Sequence, residues 1–106
     1  MSSMGNRPSG TALPRDARPM PAHGYRIEEL DGELLLYQPE TRHIAYCNAS
    51  AALVWRLCDG RRTVQDIVDL LAAAYPDDAA RVSPDVDEIL ARLAAEGLVW
   101  IEPEAG

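Results

Sequence analysis

The stretch from Asn48 to Val68, N-A-S-A-A-L-V-W-R-L-C-D-G-R-R-T-V-Q-D-I-V, decides the fold of this chain. It predicts a helix over Ala49 to Cys58, a stop at Asp59-Gly60, and a second helix that begins after Thr63. Val54 and Leu57 recur at helical spacing in the first helix, and similar spacing continues beyond Val68 in the second. Two short amphipathic helices with a tight turn between them are the centre of the domain.

Polar side chains mark where these helices start. Asn48 is placed to accept hydrogen bonds from the free N–H groups of the first turn that follows it. Thr63, with Asp66 three residues later, resembles a capping box. A third helix is predicted from Ser83 to Glu96, with Ser83 as its cap and Pro84 at its first position, where the missing N–H costs nothing.

Strands are predicted before the helices. Tyr25 to Leu30 and Glu33 to Tyr37 have strand-like composition and are separated by Asp31-Gly32, which favours a two-residue hairpin turn. The unbroken apolar run of Leu34 to Tyr37 predicts a central strand covered on both faces. His43 to Cys47 is a third strand, with Ile44 and Tyr46 on one face. Leu98 to Glu102 either adds a last short strand or packs its apolar residues down. The pattern indicates an α+β, winged helix-turn-helix-like fold, a three-stranded antiparallel sheet followed by three helices.

The 106-residue length allows one domain. Residues 1–24 are rich in Pro, Gly, Ser and Arg and are predicted to be a disordered tail, so the folded domain is expected over residues 25–102. The tail has no apolar core of the kind found in signal peptides, and no apolar run approaches the length that spans a bilayer. We expect a cytoplasmic protein that does not enter membranes.

The formal net charge of -7 bears on the class of partner. A winged helix that binds DNA needs clustered cations and polar side chains on its recognition helix. Here the third helix carries Arg92 against four acidic residues, Asp85, Asp87, Glu88 and Glu96. A winged-helix DNA-binding regulator therefore stands as the alternative function, and nucleic acid is not the expected partner.

Catalytic chemistry finds little support in the sequence. There is no arrangement of Ser, His and Asp, no glycine-rich phosphate loop and no metal-binding helix motif. Cys47 and Cys58, in segments read as a strand end and a helix end, are predicted to be buried free thiols. With His23 and His43 they would supply four zinc ligands, but their spacing matches no zinc motif. The chain is therefore expected to be a non-enzyme without cofactor or metal.

The strand His43 to Cys47 offers a different kind of site. If it lies at the edge of the sheet, its free N–H and C=O groups can be satisfied by an extended peptide that adds a strand. Apolar side chains of an adjacent helix would then form pockets for alternate peptide residues. Edge strands are also common in sheets that bind nothing, so the pattern alone leaves this open.

Three motifs taken together resemble one family. The run Leu34-Leu-Leu-Tyr37, the helix start Asn48-Ala-Ser-Ala51, and the linker Leu57-Cys-Asp-Gly-Arg-Arg-Thr-Val64 with Asp66-Ile67-Val68 are similar to the PqqD family. Its members include the peptide chaperones of pyrroloquinoline quinone (PQQ) biosynthesis and the precursor-peptide recognition elements of ribosomally synthesised peptide products. The resemblance extends over about residues 25 to 101.

The resemblance implies a function and a site. Members bind the leader segment of a precursor peptide and deliver it to a modifying enzyme, often a radical SAM protein. The leader adds as a strand antiparallel to the third strand, in the groove between that strand and the third helix. Carried onto this chain, the peptide-binding residues are His43, Ile44, Ala45, Tyr46 and Cys47 of the strand and Asp85, Ile89, Arg92 and Leu93 of the helix.

Departures from the family pattern leave the pathway open. Cys47 stands where a Leu commonly precedes the Asn, and the turn from Tyr37 to Arg42 only loosely matches the PQQ members. PQQ, a lasso peptide and another radical SAM product all remain candidates, and the chain is expected as a monomer or a homodimer. A subunit that only stabilises a partner enzyme, without contacting its substrate, is a third interpretation.

Overall fold

The computed structural model describes residues 13–101. Its elements, in chain order, are β1 (Pro19–Pro21), β2 (Arg26–Leu30), β3 (Glu33–Gln38), β4 (His43–Cys47), α1 (Ala49–Leu57), α2 (Val64–Ala74), a 3-10 turn (Pro76–Asp78), α3 (Ala79–Ala95) and β5 (Val99–Ile101). The predicted α+β fold, with an antiparallel sheet followed by three helices, is confirmed. A second, two-stranded sheet joins β1 to β5.

The three-stranded sheet has the order β2-β3-β4 and is antiparallel throughout. Asp31 and Gly32 both have positive φ angles, 52° and 85°, which is the backbone that the predicted two-residue hairpin requires. β3 is central, as predicted, but it is not covered on both faces. Leu34 and Leu36 are buried while Tyr37 is 38% exposed, because the helices pack on one face of the sheet only.

The caps predicted at both helix starts are present. Asn48 Oδ1 accepts from the N–H of Ala51 at 2.9 Å. Thr63 and Asp66 form a capping box, in which each side chain accepts from the other residue's N–H, at 3.0 and 2.9 Å. Between the helices, the backbone N–H groups of Arg61 and Arg62 donate to Asp59 Oδ1, which holds the pKa of that carboxyl below its usual value.

The predicted start of the third helix is wrong. α3 begins at Ala79, not after Ser83, and Pro84 lies inside it. Proline removes the hydrogen bond that the carbonyl four residues earlier would accept, here that of Ala80. Both Ala80 and Pro84 are on the exposed side of the helix, where solvent can reach that carbonyl. The Ser-Pro pair therefore did not mark a helix start.

The predicted disordered tail is also wrong for residues 13–24. Pro19–Pro21 is a strand paired with Val99–Ile101, and Ala17 is buried. Ahead of it, the carbonyls of Arg15 and Ala17 accept from the first-turn N–H groups of α2, at 3.0 and 2.9 Å. Composition failed to predict this because residues 13–24, the N-terminal arm, have no apolar periodicity. Backbone carbonyls and Arg15 hold the arm against the domain instead. Residues 1–12 lie outside the described residues.

The core lies between the inner face of the sheet and the three helices. β3 and β4 pack against α1, and α3 packs against α1, α2 and β5. Trp55 closes one end, where its indole N–H donates to the carbonyl of Leu98 at 2.9 Å. Gly97, with φ of 76°, follows the end of α3 and turns the chain into β5.

Candidate peptide-binding site

β4 is the edge strand on which the site prediction rests. Within residues 13–101 it pairs with β3 alone, so its other side is open. Ala45 and Cys47 are buried on the helical side, whereas Ile44 and Tyr46 are 63% and 51% exposed on the outer face. The predicted division of side chains between the two faces is therefore confirmed. The edge offers backbone groups to an added strand.

The α3 residues predicted to bind the peptide divide into two sets. Asp85, Ile89 and Arg92 line one groove, while Leu93 is buried in the core and faces away from solvent. Arg92 Nε lies 3.6 Å from Glu96 Oε2. Burial raises the pKa of the Cys47 thiol, while the charge of Arg92 lowers it and that of Glu96 raises it.

The groove has a volume of about 600 Å³ and lies between α1, the end of α2 and α3. No β4 residue lines it, but Ala49 and Ser50 do, and they follow Cys47 after one residue. The β4 edge and the groove thus adjoin at the start of α1. The groove residues that the sequence prediction missed are Ala49, Ser50, Leu53, Val54, Leu71, Tyr75, Asp78, Val82, Val86 and Glu88.

A signal for some of these residues was present in the sequence. Asp78, Val82, Asp85, Ile89 and Arg92 recur at intervals of three and four, which places them along one face of a helix. A helix predicted to begin after Ser83 leaves out Asp78 and Val82, so the prediction does not include the full pattern. The residues of α1 and of the end of α2 reach the groove through tertiary packing, and no local sequence pattern predicts this.

The outer face of the sheet carries a second, smaller depression. Cross-strand neighbours Tyr37 and Ile44, and Leu35 and Tyr46, lie side by side there. A hydrogen bond with Glu33 raises the pKa of the Tyr46 hydroxyl, with burial adding to the effect. A cavity of about 470 Å³ is lined by Arg26, Ile27, Glu28, Leu35, Tyr37 and Ile44.

Neither cysteine is part of a ligand cluster in the described region. Cys47 and Cys58 are both free and buried, as predicted. The Cys58 thiol donates to the carbonyl of Val54 at 3.2 Å, and burial raises its pKa to about 12. Among residues 13–101 no group of three or more His, Cys, Asp or Glu side chains is placed to hold a metal ion. In the same range, no helix is long and apolar enough to cross a bilayer.

Comparison with known proteins identifies relatives of this chain. Residues 33–99 match the family described as Coenzyme PQQ synthesis protein D (PqqD). A "PqqA binding protein" of Rhodopseudomonas palustris (strain BisB5) is 33% identical over 91 residues, which is 86% of this chain and 81% of the relative. A "PqqA binding protein" of Rahnella aquatilis is 36% identical over 86 residues, 78% of this chain and 84% of the relative.

A solved structure has the same fold. It is described as "TbiB1 in Complex with the TbiA(beta) Leader Peptide", is 24% identical, and superposes with a TM-score of 0.64 over 82% of this chain and 99% of the other. The family match covers β3, β4, the three helices and the start of β5. This chain therefore belongs to the PqqD family.

Proposed function

We propose that this protein binds the leader segment of a ribosomally synthesised precursor peptide and delivers it to a modifying enzyme. The observation that carries the proposal is the open β4 edge beside the groove of α3, in a chain whose relatives are named for binding the precursor PqqA. The peptide would add a strand to β4 through main-chain hydrogen bonds, which give affinity without demanding a particular sequence.

The proposed contact residues are those predicted from the resemblance. His43 to Cys47 would supply the backbone, and Asp85, Ile89 and Arg92 would meet side chains of the bound segment. Ala45, Cys47 and Leu93 would act differently, since they are buried and fix the positions of the strand and the helix. Specificity would come from alternate side chains of the leader.

Catalysis would reside in the partner enzyme, a radical SAM protein in our proposal, and this chain would carry out no chemistry. It would raise the local concentration of the peptide at that enzyme. The proposed setting is the cytoplasm, with the protein as a monomer or a homodimer. An exposed edge strand can also pair with its own copy, so a dimer through β4 would compete with the peptide.

The test is an NMR titration of isotopically labelled protein. The ligands are the leader region of a small open reading frame beside the gene, the precursor PqqA, and a scrambled leader as control. Shifts concentrated at His43 to Cys47 and Asp85 to Arg92 with one intact leader would support the proposal and identify the pathway. No shifts with any leader, but shifts with duplex DNA, would replace it by the winged-helix alternative.

A further inference from the structure

Strand addition needs only the β4 edge, so it leaves most of the groove between α1, the end of α2 and α3 without an assigned ligand. Its floor is apolar: Val54, Val82 and Val86 are buried there, and Leu53 and Ile89 are partly exposed. A volume of about 600 Å³ accommodates bulky side chains of a peptide. Covering this floor would remove apolar surface from water, which favours binding.

The rim of the same groove is acidic. Asp78, Asp85 and Glu88 line it and are exposed, and within residues 13–101 none of the three forms an ion pair. Arg92 is the one cation among the groove residues, and it lies beside Glu96. Arg81 is one turn before Asp85 on α3 but does not line the groove. The rim therefore favours a positively charged ligand.

The groove continues the surface of the β4 edge. Ala49 and Ser50 lie at its wall directly after the end of β4. From Arg92 to Asp78 the groove follows α3 for about 20 Å at the helical rise per residue. An extended peptide covers that length with about six residues. A segment paired with β4 would thus enter the groove without leaving the protein surface.

We infer that this groove selects the peptide by charge and size. It takes the part of the bound segment that lies beyond the β4 edge, with one bulky apolar side chain on the floor and one Lys or Arg side chain against Asp78, Asp85 and Glu88. These three carboxylates are then specificity-determining residues. The inference rests on the proposed function, since it concerns the same peptide.

The experiment selects binders from a displayed library of random dodecapeptides, so it needs no knowledge of the natural precursor. The wild-type protein is compared with the triple variant Asp78→Asn, Asp85→Asn, Glu88→Gln. A matched control, Asp16→Asn, Glu28→Gln, Asp69→Asn, changes the net charge equally at exposed positions outside the groove. Selected peptides are then mapped on the protein by NMR.

The wild type and the control are expected to enrich peptides with Lys or Arg at a fixed spacing from a bulky apolar residue. The triple variant should keep the apolar preference and lose the cation, with affinity for a selected peptide falling about threefold per contact. The double variant Asp85→Arg, Glu88→Arg should enrich Asp or Glu instead.

The outcomes separate the two proposals. Binders that map to β4 and the groove but carry no basic enrichment, or the same enrichment in the triple variant, would overturn the inference and leave the proposed function standing. Basic enrichment that is equally lost in the matched control would also overturn it, because overall charge would then be the cause. If no binder maps to this surface, both the inference and the proposed function fail.

Discussion

The guanidinium of Arg15 lies 2.9 Å from the carboxylate of Asp87, its partner 72 residues later in the chain. A second contact, at 3.1 Å, makes the pair bidentate, and the Arg15 guanidinium also donates to the Ser83 hydroxyl. Asp87 is the only buried charged residue in the described part of the chain. Ser83 and Asp87 lie on the side of α3 opposite Asp85 and Arg92, so the arm holds the helix from behind the groove.

Replacing Arg15 with Ala is expected to lower the free energy of unfolding by about 2 kcal/mol, because it leaves a mostly buried carboxylate without its cation. Urea denaturation followed by circular dichroism measures the change. Arg18→Ala is the matched control, since Arg18 is exposed on the same arm and should cost no more than about 0.5 kcal/mol. Equal losses of unfolding free energy in the two variants would show that the ion pair adds no stability of its own.

Peptide binding should depend on Ile89, which lines the groove, more than on Leu70, which does not. Ile89→Ala removes a groove side chain and is expected to weaken leader binding about tenfold, from the loss of roughly 1–2 kcal/mol of apolar contact. Leu70→Ala is the control, because Leu70 is 47% exposed on α2 and does not line the groove. Isothermal titration calorimetry with the leader found by NMR gives both affinities. Unchanged binding in Ile89→Ala would remove α3 from the site.

Proline substitutions test strand addition directly. The two-residue turn makes Leu30 and Glu33 a hydrogen-bonded pair, and N–H groups alternate in direction along each strand of the ladder. The backbone of Ala45 therefore faces its partner Leu36 on β3, and the N–H of Ile44 faces the open edge. Ile44→Pro should leave the fold intact and abolish leader binding, because proline is tolerated where the N–H side faces solvent. Ala45→Pro should instead destabilise the sheet, since its N–H faces β3. Full leader affinity in a folded Ile44→Pro protein contradicts pairing at β4.

The Cys58 thiol gives the stability a pH dependence with a definite sign. Its pKa is raised from 9.0 to about 12 in the folded protein, so the unfolded chain loses this proton first as pH rises. The contribution of this thiol to the free energy of unfolding is complete below pH 9 and is lost progressively between pH 9 and pH 12. Because tyrosines titrate in the same window, the measurement is the difference between wild type and Cys58→Ala in urea denaturation at several pH values.

The difference in free energy of unfolding between wild type and Cys58→Ala should shrink as the pH rises above 9. The same burial predicts that neither cysteine reacts with Ellman's reagent at pH 8 unless the protein is unfolded by urea, since both thiols are buried and held protonated. A fast stoichiometric reaction in the native protein would contradict the buried position of Cys58.

Local chemistry made much of the fold predictable from the sequence by itself. Asp31-Gly32 determined the hairpin, Asn48 and Thr63 determined two helix starts, and alternation in His43 to Cys47 determined which side chains face the helices. In each case residues within a few positions of one another fix the backbone. The open edge of β4, the strand carrying most of the predicted site residues, could therefore be proposed as a site without coordinates.

Only the tertiary structure decided the remainder, because it depends on contacts between distant parts of the chain. Arg15 forms an ion pair with Asp87, and backbone carbonyls of the arm accept hydrogen bonds from the start of α2. These contacts make the arm part of the domain, although its composition is typical of a disordered segment. Pro84 is accommodated inside α3 because that face of the helix meets water. The groove exists only where α1, α2 and α3 pack together, and that packing brings Asp78 and Glu88 to the rim beside the predicted Asp85.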